Sequence, residues 1–500
     1  MNAYWLVFSV LLVLLTTASV GPPAFAQSSD LGAFEGHTDV GDVQTPGGAR
    51  YDAGMQSYVL QSPTSGDASA QLPIHVAWRR VTGDVILRAR LDAKRAGSSP
   101  TVGWTVRSSL DPDAPYVELA VRSDGSAVMR YRLPSGGSRE IASPVTVPDV
   151  LQLARSGDTF EMAVARFGDP FTRSEAYGVP LGDTVYVGLF VGPSAQEEKT
   201  ARFRNVRIVR PAPDDLTPYE DFLGSNLELL DGASGHREIV LRSTESLQAP
   251  NWTPDDEALI YNSNGLLYRF DLETKTPKEI DTGFADANNN DHVLSFDGTQ
   301  LGISHHAEAH DGASIIYTVP VEGGTPTQVT PNGPSYLHGW SPDGRFLTYT
   351  GERDGAFDIY KIPVDGGDEI QLTDTPGLDD GSEYTPDGDH IYFNSLRSGS
   401  MEIWRMRPDG SSKEQLTSDR FNNWFPHISP DGASVVFLSY RPSVPPGAHP
   451  FYKEVYLRRM PASGGNPEVI AYLYGGQGTI NVPSWSPDSE RVAFISNTGM

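Results

Sequence analysis

The chain has 500 residues, a formal net charge of −26, a pI near 4.7 and no cysteine. That length accommodates two or more domains, each with its own core. The charge argues against nucleic acid and anionic membrane surfaces as partners, and the missing thiols exclude disulfides, a lipid-modified cysteine and thiolate chemistry.

Residues 1–26 open with an apolar run from Tyr4 to Leu15 and end in small residues at Ala24-Phe25-Ala26. This pattern predicts a signal peptide cleaved before Gln27, and so an exported protein, periplasmic or extracellular. No later segment is long and apolar enough to span a bilayer. From 31 to 209 short β runs alternate with Gly, Ser, Pro and Asp turns, without a helical period. Val117, Leu119 and Val121, followed by Ala127, Met129 and Tyr131 across a Ser123-Asp124-Gly125 turn, give one buried and one wet face, as a two-sheet sandwich requires. Trp78, Trp104 and Tyr116 are core candidates here, with sugar stacking as the functional alternative. The Pro- and Asp-rich stretch 210–222 reads as a linker.

From 223 to 500 the pattern becomes a repeat. An aromatic or apolar residue precedes a Ser/Thr-Pro-Asp-Gly-like turn at Trp252, Leu294, Trp340, Tyr384, Ile428 and Trp485, mostly at spacings in the forties. Proline arrives at such a turn with φ already set and glycine tolerates the exit, so each motif joins two short strands. The spacing is that of one four-stranded propeller blade. The last motif is followed by only one strand, and the missing hairpin stands at the other end of the region as Asn226 to Leu241. The predicted fold is therefore all-β: a jelly-roll sandwich, then a six-bladed propeller closed by strands from both ends.

The front segments resemble the concanavalin-like jelly-roll modules attached to secreted bacterial proteins, and the repeats resemble the TolB family of WD40-like β-propellers. The second resemblance implies a periplasmic protein that docks envelope proteins, as TolB itself does. A sandwich stands here where TolB carries a small α/β domain, a departure that puts membership of the Tol-Pal machinery in doubt.

The Pro-Asp-Gly turns all lie at one face of the ring, so residues a few places earlier lie at the opposite face, around the central channel. Three residues before each Ser/Thr of the motif stand Pro250, His292, His338, Ser382, Pro426 and Pro483; two neighbouring blades carry His where family repeats carry Pro. His305 and His306 end the strand that follows His292. The expected pocket combines these with Asn290, Asp291, Tyr336, Asp379, Asp380, Glu383, Asn422, Asn423, Trp424, His427, Gln477 and Asn481. Polar groups in a propeller channel can simply hold water, but imidazoles and carboxylates converging on one pocket exceed what solvation requires.

The leading expectation is carbohydrate or another small-molecule ligand bound there, through Asn290, Asp291, Asp379, Asn422, Asn423, Trp424, Gln477 and Asn481. His292, His305, His306 and His338 are the candidate ligands of a divalent metal, Zn²⁺ or Mn²⁺. Oligogalacturonate lyases, built on related propellers, make a metal-assisted lyase the second reading, and Asp380, Glu383, His427 and Tyr336 are its candidate catalytic groups or those of a glycoside hydrolase. A protein-docking scaffold is the third. Of the remaining histidines, His390 and His449 read as surface. The Pro-rich insertion from Arg441 to Glu454 reads as a stiff loop in the fifth blade, with a lid as the alternative. The sequence carries neither a Gly-x-Ser-x-Gly elbow nor a phosphate-cradling loop.

Overall fold

In the computed structural model, residues 30–65, 72–92, 100–193, 199–217 and 220–499 are described; the expected signal peptide lies outside them. Strands account for nearly all regular structure, and a single 3₁₀ turn, Glu308–His310, is the one helical element among the described residues.

The N-terminal part is two antiparallel sheets of seven strands. One runs in the order Gly36–Val40, Ile74–Thr82, Thr184–Val191, Val102–Arg107, Tyr116–Val121, Ser126–Arg132, Ser138–Thr146; the other runs Thr172–Ala176, Thr159–Ala165, Val150–Ser156, Val85–Leu91, Thr200–Val209, Ser57–Gln61, Gly48–Asp52. Val117, Leu119, Val121, Ala127, Met129 and Tyr131 all point into the core between them, together with the fully buried Trp104. Much of the outer faces expected to be wet is covered. On the first sheet Val76, Ala120, Val128 and Phe190 form a second buried cluster with Trp78 beside it, and Tyr116 lies between the guanidiniums of Arg107 and Arg132. The second sheet turns its outer face onto the propeller.

Five blades are four-stranded antiparallel sheets whose innermost strands are Gln248–Trp252, Asn288–Leu294, Ser335–Trp340, Asp379–Tyr384 and Asn422–Ile428. In the sixth, Arg491–Thr498 pairs with Gly224–Asp231, which pairs with Arg237–Ser243, and the innermost position is reduced to the bridge between Trp485 and Val492. Strands from both ends of the propeller region thus close the ring.

The repeated turn has a side-chain cause. In all six, the Ser/Thr hydroxyl donates to the Asp carboxylate two residues on, as Ser341 does to Asp343 at 2.6 Å. The same oxygen accepts the backbone N–H five residues on, as from Phe346 at 2.9 Å. The motif is therefore a complete local hydrogen-bond circuit that sets where the second strand starts.

The sandwich sits on blades five and six. Phe171 packs on Tyr456 and Tyr472, beside Val150, Ala163 and Ala165. Arg88 donates to the Tyr472 carbonyl at 2.9 Å, and Gln152 and Arg173 both donate to Glu454, at 2.8 and 2.9 Å. Deeper, the fully buried Glu228 receives Arg207 at 2.5 Å and Arg237 at 2.7 Å. Burial by itself would raise the Glu228 carboxyl, but the two guanidiniums outweigh it and hold it down at about 2. The linker stretch is packed rather than free: Ala212 N–H donates to the Tyr474 hydroxyl, and Leu216 joins an apolar cluster with Phe451 and Tyr452.

Candidate functional site

Each of the five full innermost strands is interrupted by a register shift: between Gln248 and Asn251, Asn288 and His292, Leu337 and Gly339, Asp380 and Glu383, and Trp424 and His427. A bulge bends the strand and re-aims the side chains on either side of it. The backbone signature is a positive φ at Ala249, Gly381 and Phe425, of 53°, 66° and 54°. Residues ahead of the bulge face the channel mouth; those after it run into the seams between blades.

The mouth encloses a cavity of about 1010 Å³. Of the candidates above, Asn290, Asp291, His306, Tyr336, His338, Asp380, Gln477 and Asn481 line it. At its centre His338 Nε2 donates to Asp380 Oδ1 at 2.9 Å, and that oxygen also accepts the Thr350 hydroxyl and the Gly381 N–H, at 2.7 and 2.8 Å. Burial on its own would lower the His338 imidazole, but the Asp380 carboxylate overcomes it and raises it to about 9. Burial likewise works to raise Asp380, yet His338 above all, with Thr350, holds it at about 2. The pair is therefore an imidazolium and a carboxylate at neutral pH. Asp291 beside it is lifted to about 7, by burial first and by the Asp380 charge against the opposing pull of His338, and its Oδ1 is buried without a hydrogen-bond partner. Gln477 Oε1 receives the Asn481 amide at 3.1 Å and His449 Nδ1 at 2.6 Å.

The remaining candidates are elsewhere. His292 is fully buried in the seam to blade one, with Nε2 3.2 Å from the Ile260 carbonyl, and burial lowers it to about 4. It occupies the same place in the repeat as His338 but follows its bulge, whereas His338 is the bulge residue. His305 is buried against Phe284 and Tyr317, and burial lowers its pKa. The four imidazoles do not converge, and among the described residues no group of three or more His, Asp or Glu could hold a metal ion. Asp379 turns to Arg397 at 2.8 Å. Glu383 and His427 bind one another at 2.6 Å inside the ring wall, with the His427 ring also on the Ile480 carbonyl. Asn422 donates to the Val444 carbonyl, Asn423 is spent on Glu402 and Ser439, and Trp424 is core.

Other groups replace them. His449, expected at the surface, is brought by the insertion against Trp424, with ring centroids 4.5 Å apart, and lines the cavity together with Gly447. Gln248, Asn262, Asn264, Asn288, Asn289 and Thr350 add polar wall; Phe222, Phe357, Leu378, Leu396 and Phe425 add apolar wall. The Asn288–Asn290 run was visible in the sequence as an unusually polar strand start. Nothing in the repeat pattern signals His449 or Phe222, because both come from connecting segments.

Comparison with known proteins agrees with this architecture. Residues 333–444 match the family model described as TolB beta propeller domain. An uncharacterized protein of Agrobacterium fabrum, Atu1656, is 47% identical over 272 residues, which are 54% of this chain and 92% of that protein. A solved structure of a candidate TolB from Agrobacterium tumefaciens is 46% identical and superposes with a TM-score of 0.54, covering 56% of this chain and all of its own. The TolB of Acinetobacter baumannii is more distant, at 17% identity and a TM-score of 0.41 over 65% of this chain and 79% of its own. Six motif-closed blades, and a relative matched over nearly its whole length, establish that this chain belongs to the TolB-like β-propeller family.

Proposed function

We propose that the chain is an exported propeller protein whose channel mouth binds a neutral, polyhydroxylated ligand, a glycan or its fragment. The observation that carries this reading is the lining of the 1010 Å³ cavity. Among the described residues it has eight carboxamide side chains, aromatic walls from Phe222, Tyr336, Phe357 and Phe425, and neither Lys nor Arg. A carboxamide donates and accepts at once, as a sugar hydroxyl requires, and ring faces suit the apolar side of a pyranose. The unpartnered Oδ1 of Asp291 supports the same reading, since a neutral carboxyl or a carboxylate there accepts a ligand hydroxyl. The cation on this lining, the His338 imidazolium, is already paired with Asp380, so a uronate carboxylate would find no free positive partner among the described lining residues, which weighs against the lyase reading.

Hydrolysis is favoured by one observation of its own. Asp291 and Asp380 face one cavity with acidities pushed far apart, to about 7 and about 2, the pattern of an acid and a base. In that reading Asp291 protonates the leaving oxygen and the Asp380 carboxylate orients the attacking water.

Titration calorimetry with neutral xylo-, cello- and chito-oligosaccharides, and with oligogalacturonate as the charged comparison, tests the proposal. A neutral sugar should bind and the uronate should not, with affinity lost in Gln477→Ala/Asn481→Ala. Product analysis on the sugar that binds separates hydrolysis from binding. Absence of any saccharide binding would overturn the reading in favour of a docking scaffold.

A further inference from the structure

A second cavity, of about 570 Å³, lies where the open end of the sandwich meets blade six, away from the channel mouth. Its walls come from both halves: Tyr51, Tyr58 and Arg79 from the sandwich, Arg207 from the strand Thr200–Val209, and Arg242 from the propeller. Three guanidiniums thus face one space in a protein of net charge −26.

They are not neutralised there. Arg207 binds Glu228, but Glu228 also carries Arg237, so one carboxylate serves two cations. Arg242 has as its hydrogen-bond partner a neutral group, the Asn226 side-chain oxygen at 3.3 Å. Arg79 donates through NH1 to the Ala33 carbonyl at 3.2 Å, and its Nε is buried with no partner. Neither Arg79 nor Arg242 forms a salt bridge among the described residues. Tyr51 lines the same space. Asp30 is the single acid among the lining residues. Burial, and after it the charge of Arg207, hold Arg242 below its usual value, as expected of like charges sharing a confined space.

We propose that this junction is a binding site for a small oxyanion, carboxylate or phosphate, held by Arg242, Arg79 and the Tyr51 hydroxyl. Guanidinium forks match the paired oxygens of both groups, and a phenol adds a directional donor. The cavity is far larger than one such group, so the anionic head belongs to a small organic molecule whose body lies along Tyr51 and Tyr58. Because the walls belong to both halves, the bound anion also ties sandwich to propeller, and its binding must raise the stability of the junction.

The full chain, titrated with inorganic phosphate and separately with succinate, tests this by calorimetry and thermal shift. Either anion should raise Tm and bind at one site per chain; phosphate alone identifies a phosphoryl ligand, succinate alone a carboxylate. Arg242→Gln should weaken binding roughly tenfold or more, from loss of a charge-assisted hydrogen bond. Tyr51→Phe, which keeps the packing, should weaken it less but measurably. Arg345→Gln, at an exposed turn of the propeller, should change nothing. The proposal is overturned if neither anion binds, or if Arg242→Gln and Tyr51→Phe, folded by circular dichroism, bind as the parent does.

Discussion

Asp380→Asn isolates the charge at the centre of the channel mouth. Asparagine keeps the shape and an oxygen able to accept from Thr350 and Gly381, so what is lost is the ion pair with His338. Burial opposes the charge on both groups, yet the pair holds the imidazole up at about 9 and the carboxylate down at about 2. The variant should therefore lose about 2 kcal/mol at pH 7 in chemical denaturation. For the parent, the His338 contribution is complete below pH 6.5 and disappears as pH rises through about 9; that of Asp380 is complete above pH 3.8 and disappears as pH falls through about 2. Nitrogen-15 imidazole NMR reads the same event directly: His338 should remain an imidazolium through pH 8 in the parent and become neutral well below pH 6.5 in Asp380→Asn. Titration near 6.5 in both proteins would mean that Asp380 and His338 do not form a charged pair.

Glu228→Gln leaves Arg207 and Arg237 buried on a neutral partner and should cost about 3–5 kcal/mol, measured by denaturation with fluorescence following sandwich and propeller together. Asp291 carries its carboxyl near 7 rather than 3.8, so its burial erodes stability as pH rises from about 4 to 7 and no further; Asp291→Asn should flatten that slope, and should remove any change in saccharide affinity between pH 6 and 8. Protein dialysed against Zn²⁺ and Mn²⁺ should retain less than one ion per chain by mass spectrometry, and His292→Ala should leave that content unchanged, because His292 and His305 point into seams of the fold.

Much of the architecture was legible because its causes are local. The Ser341–Asp343–Phe346 circuit needs only residues within one turn, and it recurs in every blade. Alternation around Val117–Val121 likewise reported one face of a strand faithfully. It misjudged the opposite face, because what covers that face, blades five and six or the cluster around Phe190, is remote in sequence. The site was half legible for a related reason. Counting back from the turn gives the height of a residue in the ring, which placed His338, Asp291 and Asp380 correctly. It does not give direction, since a bulge, of two residues before His292 and of one before Glu383 and His427, turns these side chains into the wall. His449 arrives by an insertion outside the repeat, and no periodicity reaches it.

The closure of blade six sets an order of events. Until Arg491–Thr498 is available, Gly224–Asp231 has Arg237–Ser243 on one side and an open edge on the other, and the ring stays a broken arc. That edge is among the first of the propeller to be synthesised, and its partner among the last, so the slowest contact in the domain is also the one that seals it. A chain with so late a seal spends its synthesis with an unpaired strand exposed, and any truncation within the last strand leaves that state permanent.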